Sequence, residues 1–255
     1  RADVGPLRRL DLLQITDGDS PPPREARRGL RGLTIRAEGS LPGRAGDLLA
    51  AIFLAGGQPL GEQDEALTLT PDLENGMDVY EVCSACHLPE GWGLEDGTFP
   101  QLAGQHASVL IKQLADIRAL NRDNPTMYPF ALERSIGGPQ SVADVVAYTE
   151  KLPMNPEWGK GPWAPGTPEH AAGQKLYADN CVKCHGESGI GSAEKFYPRI
   201  NGQHYKYMLR QFEWIRDGRR RNANPDMVAQ IKAFSDQEMQ QVINYASWLP
   251  VPAED

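Results

Sequence analysis

From Leu73 onward, apolar residues recur at three- and four-residue intervals, the spacing that lines one face of a helix. Val109, Leu110, Leu114 and Ile117 form one such stripe and Tyr207, Met208, Phe212 and Ile215 another, which predicts helices over 106–120 and 204–217. An opening helix over 73–85 carries Met77, Tyr80 and Val82, while Ala171, Leu176, Tyr177 and Val182 hold the matching places in a later one. Closing helices are predicted over 141–152 and 235–249, each with a tyrosine, Tyr148 or Tyr245, and each ending at Leu-Pro. Tyr80 and Tyr177 are expected to pack on these closing helices. The pattern is that of a mainly α fold.

The elements come in two sets. Phe99-Pro100-Gln101-Leu102-Ala103-Gly104-Gln105-His106 is matched ninety-eight residues later by Tyr197-Pro198-Arg199-Ile200-Asn201-Gly202-Gln203-His204, and Asn124-Pro125-Thr126-Met127 by Asn224-Pro225-Asp226-Met227. Agreement at a nearly constant offset indicates a duplicated domain. The expected division is an N-terminal extension over 1–70, one copy over 71–153, a linker over 154–168 and a second copy over 169–255. The linker is rich in Pro and Gly, holds Trp158 and Trp163, and is expected to pack along the seam between the copies. The extension has no cysteine, histidine or methionine, so it lacks the usual side-chain ligands of a redox metal. Its segment 38–53 resembles a closing helix, which leaves two readings: the remnant of a third domain that has lost its cofactor, or a segment that packs on the copies or on a partner subunit.

Charge narrows the partners. The net charge of −8 makes nucleic acid an unexpected partner, and no apolar run approaches the roughly 20 residues needed to span a bilayer. The chain begins at Arg1, consistent with prior removal of a signal peptide or membrane anchor. Residues 71–153 carry a net charge of −7 while 154–255 are neutral, and Arg219-Arg220-Arg221 has no evident equal in the first copy. Such a run is expected to face solvent, to pair with the acidic groups of a cofactor, or to let different partners dock on the two halves.

All four cysteines fall in two pentapeptides, Cys83-Ser84-Ala85-Cys86-His87 and Cys181-Val182-Lys183-Cys184-His185. This is the pattern of covalent attachment of two heme c groups. Two thiols one helical turn apart add to the heme vinyl groups, and the imidazole that follows lies under the iron as proximal ligand. Disulfides or structural zinc would use some of the same residue types, but neither calls for a histidine after both pairs. Cytochromes of this kind acquire heme outside the cytoplasm, so a bacterial periplasm is the expected compartment.

The sixth ligand separates an electron carrier from a site open to substrate. Of the six methionines, Met127 and Met227 are those at equivalent places in both copies, on a loop after the same Asn-Pro pair. They are the expected distal ligands, with His87 and His185 proximal. Met77, Met208 and Met239 are expected in the core. His106 and His204 are the competing ligands, with a helix-start or propionate-side role preferred, and His170 is expected at the surface.

With these paired motifs, residues 73–250 resemble the diheme cytochrome c4 family. The resemblance implies two tandem class I cytochrome c domains related by pseudo-twofold symmetry, His/Met ligation of both irons, and electron delivery from a dehydrogenase or membrane complex to an oxidase or reductase. Leu88 departs from the family, which has glycine after the heme histidine, as at Gly186. The 70-residue leader also departs, and suits a cytochrome subunit docked onto a multi-subunit oxidoreductase such as a sulfur-compound dehydrogenase. A diheme enzyme is the remaining alternative, and it requires one loop methionine to leave its iron.

Overall fold

The computed structural model describes residues 61–251. The extension up to residue 60, with its helix candidate at 38–53, lies outside them. The described residues are helical apart from loops and one isolated antiparallel bridge between Ser192 and Tyr197.

The first copy consists of α1 (Glu62–Thr68), α2 (Leu73–His87), α3 (Ala107–Arg118), the single turns α4 (Tyr128–Ala131) and α5 (Glu133–Ile136), and α6 (Pro139–Glu150). The second consists of α7 (Pro168–Asn180), α8 (Val182–His185), α9 (Tyr205–Arg216), α10 (Pro225–Ile231) and α11 (Asp236–Ser247). Asp72 starts α2 by accepting from the backbone N–H groups of Glu74 and Asn75 at 2.9 and 3.3 Å. Pro139 sits in the first turn of α6, so that helix begins before the predicted position. A reciprocal capping box between Ser235 and Glu238 starts α11.

Opening and closing helices cross at glycine in both copies. A Cβ on Gly76 would lie 2.3 Å from the carbonyl oxygen of Asp144, and one on Gly173 would lie 2.0 Å from that of Gln241, so the backbones meet where no side chain fits. One turn further on, Tyr80 packs on Tyr148 and Tyr177 on Tyr245, with ring centroids 5.5 and 5.3 Å apart, as the pattern predicts. Each copy has its own core. Tyr80, Ile111, Ile136, Val142, Val145 and Val146 build the first, and Tyr177, Phe212, Ile231, Met239, Val242 and Leu249 lie in the second.

Three expectations need correction. Met77 is half exposed, because one residue on from Gly76 it falls to the side of the face of α2 that meets α6, whereas Met208 and Met239 are buried as expected. His170 starts α7 but is buried, its ring 5.2 Å from that of Tyr245 and beside Trp248. Residues 62–68, grouped with the extension, form α1, whose Ala66 is buried in the first core and whose Glu62 pairs with Arg118 of α3.

The linker follows the second copy's closing helix for much of its length. Asn244 accepts from the Trp163 N–H at 2.9 Å and donates to its carbonyl at 2.8 Å, reading that residue's backbone in full. Trp158 Nε1 donates to the Ser247 carbonyl and Trp248 Nε1 to that of Gly161. Lys160 Nζ lies over both indoles, 4.4 and 5.3 Å from their centroids.

Candidate heme sites and the seam between them

The last turn of α2 presents Cys83, Cys86 and His87 to an apolar cleft. Val82, Met127, Phe130 and Ile136 complete its lining, so Met127 and the attachment motif share one cavity. Met127 is held there by the Asn-Pro loop: its N–H donates to Asn124 Oδ1 at 3.2 Å, and it caps α4. In the second copy, Cys181, Val182 and Met227 pack against the same core. Asn224 caps α10 there and Met227 lies in its first turn. The attachment helix is continuous in the first copy but breaks at Cys181 in the second, dividing α7 from α8.

The histidines of the two motifs are oriented alike. His87 Nδ1 donates to the Pro100 carbonyl at 2.9 Å and His185 Nδ1 to that of Pro198 at 3.1 Å; a carbonyl only accepts, so each Nδ1 carries the proton. Burial pushes both imidazoles below their ordinary range, against the raising effect of those bonds, and the neutral ring keeps its Nε2 lone pair for a metal. All four cysteines are free. Burial, with the neighbouring cysteine second, pushes the Cys83 thiol up to about 11 and that of Cys181 to about 12, so both are un-ionised at neutral pH. An apolar cleft, two thiols on one helical turn, an oriented neutral imidazole and a thioether fit a covalently held heme.

Two tyrosines missed as site residues support this turn. Tyr80 donates to the Leu88 carbonyl at 3.0 Å and Tyr177 to that of Gly186 at 2.8 Å, each the residue after the motif histidine. Both of those residues have positive φ, 67° for Leu88 and 76° for Gly186. The tyrosines were legible as packing residues; the hydroxyl contact has no signal in a helical stripe.

The Gly-Gln-His motifs lie on the seam between the copies. His106 Nε2 donates to the Ile190 carbonyl and His204 Nε2 to that of Trp92, each at 2.7 Å, and Ile190 and Trp92 are themselves repeat mates. His204 Nδ1 also accepts from the Gly159 N–H at 3.1 Å, so both its nitrogens are engaged by backbone. The glutamines reach across in the same mirrored way. Gln105 accepts from the Arg199 N–H and donates to its carbonyl, both at 2.9 Å, while Gln203 does the same to Gln101 at 3.0 and 2.9 Å.

The arginine run is also drawn into the seam, and it does have an equal: Arg122 is the repeat mate of Arg220. Arg122 donates to Gln113 and Gln211, Arg220 to Gln211 and Gln113, and the glutamines are again mates. Burial, with the Arg122 charge second, pushes Arg220 down to about 10. Arg221 pairs with Asp123 at 2.7 Å across the seam, and Arg219 is exposed.

Comparison with known proteins follows this geometry. The Cytochrome c family model matches residues 170–250. The chain is 34% identical over 170 residues to the thiosulfate dehydrogenase electron acceptor of Stutzerimonas stutzeri, covering 64% of this chain and 76% of that one. It is 34% identical over 179 residues to cytochrome c4 of Thiocapsa roseopersicina, covering 66% and 87%. Among solved structures, cytochrome c4 from Pseudomonas stutzeri superposes with a TM-score of 0.61 at 26% identity, over 71% of this chain and all of that one. The thiosulfate dehydrogenase TsdBA of Marichromatium purpuratum superposes with a TM-score of 0.58 at 30% identity, over 70% of this chain and 40% of that one.

Proposed function

Since the chain belongs to the diheme cytochrome c4 family, we propose that it is a periplasmic electron carrier holding two covalently bound heme c groups, both irons closed by His/Met ligation. The observation that carries this reading is the meeting of Cys83, Cys86, His87 and Met127 in one apolar cleft. A bound heme supplies one-electron chemistry, its iron alternating between ferric and ferrous states. Cys83, Cys86, Cys181 and Cys184 anchor the two groups. His87 and His185 would offer Nε2 from rings fixed by proline carbonyls, and Met127 and Met227 would supply thioethers, which favour the ferrous state. Buried Arg122 and part-buried Arg220, surrounded mainly by neutral amides, are suited to hold propionate carboxylates at the seam.

The test is the oxidised absorption spectrum from roughly 600 to 750 nm, where methionine bound to ferric iron gives a charge-transfer band, together with the heme count. Two attached hemes and two full bands, unreactive toward peroxide and carbon monoxide, are expected. Met127→Ala or Met227→Ala should each remove half the band and admit carbon monoxide at one iron. A parent protein that already binds carbon monoxide would overturn the closed carrier in favour of an enzyme.

Likeness to thiosulfate dehydrogenase electron acceptors favours a second, narrower reading: the chain takes its electrons from a sulfur-compound dehydrogenase. Rapid reduction of the oxidised protein by such an enzyme turning over thiosulfate would support it, and reduction no faster than that of an unrelated monoheme cytochrome would remove it. Residues 1–60, the extension short of α1, are the candidate docking segment for that partner.

A further inference from the structure

We infer that each domain tunes the proximal histidine of the other, through Gln203 for His87 and Gln105 for His185. The two hydrogen bonds concerned act on a single peptide group. The Pro100–Gln101 peptide accepts the His87 Nδ1 proton at its carbonyl, at 2.9 Å, and gives its N–H to Gln203 Oε1 of the second domain, at 3.0 Å. The Pro198–Arg199 peptide accepts from His185 Nδ1 at 3.1 Å and gives its N–H to Gln105 Oε1 of the first domain, at 2.9 Å. Four residues from each copy thus build two crossed relays of the same form.

The direction of the effect follows from peptide polarisation. An acceptor on the N–H side pushes electron density toward the carbonyl oxygen, which then holds the imidazole N–H more strongly. A proximal imidazole whose Nδ1–H is held more strongly is a more basic ligand, and a more basic ligand favours ferric iron. Gln203 therefore lowers the potential of the first heme and Gln105 that of the second. Both glutamines are fixed for this role. Each Oε1 also accepts from the N–H of the following histidine, at 3.2 Å for Gln105 and 3.1 Å for Gln203, and each Nε2 donates back to the residue whose N–H it binds. Gln101 and Gln203 are buried, so water does not compete for the first relay.

The inference rests on His87 and His185 being the proximal ligands. Gln203→Met and Gln105→Met keep length and bulk but remove the acceptor. In the diheme protein, Gln203→Met should raise the first heme's potential and move the His87 Nδ1–H proton resonance of the reduced protein upfield, leaving the second heme and His185 unchanged. Gln105→Met should do the reverse, and Gln203→Glu, which keeps an oxygen acceptor, should return the first potential to or below the parental value. Equal displacement of both potentials, a response in the variant's own domain alone, no response, or Met and Glu variants that behave alike would overturn the crossed assignment. A parent with fewer than two attached hemes, or without Nδ1–H signals from His87 and His185, would instead defeat the ligand reading, and does so before any variant is made.

Discussion

At the scale of single residues, Leu88 shows what the attachment turn demands. Its φ of 67° and ψ of 158° fall in a region occupied almost solely by glycine, where another side chain costs about 1–3 kcal/mol. The second copy meets the same backbone demand with Gly186. Leu88→Gly should therefore stabilise the first domain by about 1 kcal/mol, and Gly186→Leu should destabilise the second by a similar amount or more, read from denaturant unfolding of the diheme protein. The departure at Leu88 is visible in sequence because the motifs align, yet its consequence needs the dihedral angle. The four cysteines and two motif histidines were legible for a covalent reason: their spacing is dictated by the porphyrin and not by the rest of the fold. His106 and His204 were legible as helix starts, which they are, but their contacts across the seam and those of Gln105 and Gln203 were not, because the partners are backbone groups about a hundred residues away, and a backbone group has no signature in a sequence.

At the scale of elements, the apolar stripes located the long helices to within two or three residues, since each stripe turns one face to the core of its own copy. They did not foretell the break at Cys181 or the helix α1, which is short and acidic with one buried residue, too little to set a period. The close crossing of opening and closing helices is the element-level feature with the sharpest test. Gly173→Ala would place a methyl 2.0 Å from the Gln241 carbonyl oxygen, and the helices must part to admit it. Overpacking of this kind costs about 1–3 kcal/mol, and the loss should appear as lower unfolding stability together with a weakened methionine charge-transfer band at the second heme alone. Gly76→Ala should do the same to the first.

At the scale of the whole molecule, the seam combines arginine contacts with neutral histidine and glutamine hydrogen bonds, and the histidine part sets a pH limit. His204 is fully buried, and burial holds it below its ordinary value near 6.5, while the Trp92 contact and the nearby Glu95 and Asp96 only partly oppose this. The unfolded chain takes up a proton as pH falls through about 6.5 and the folded one does not, so stability is complete above that pH and declines below it. Unfolding at about pH 7.5 and pH 5.5 should show the loss, and His204→Gln should flatten the dependence. The seam also redistributes the charge counted along the chain. Arg220 is part-buried and bonded to Gln211 and Gln113, and the exposed Arg221 is paired with Asp123, so Arg219 is the exposed member of the run that makes no side-chain bond among the described residues. Neutralising Arg219 should consequently alter partner docking less than the run of three suggests, as seen in the salt dependence of reduction rates.

Asp123 and Arg221 hold the same position in the two repeats and face each other. In a homodimer built from one repeat, that position would meet a copy of itself, so like charges would oppose across the axis. Two repeats in one polypeptide can instead carry an opposite pair there. At this point the seam is a lock and its key, each half better matched to the other than to its own duplicate.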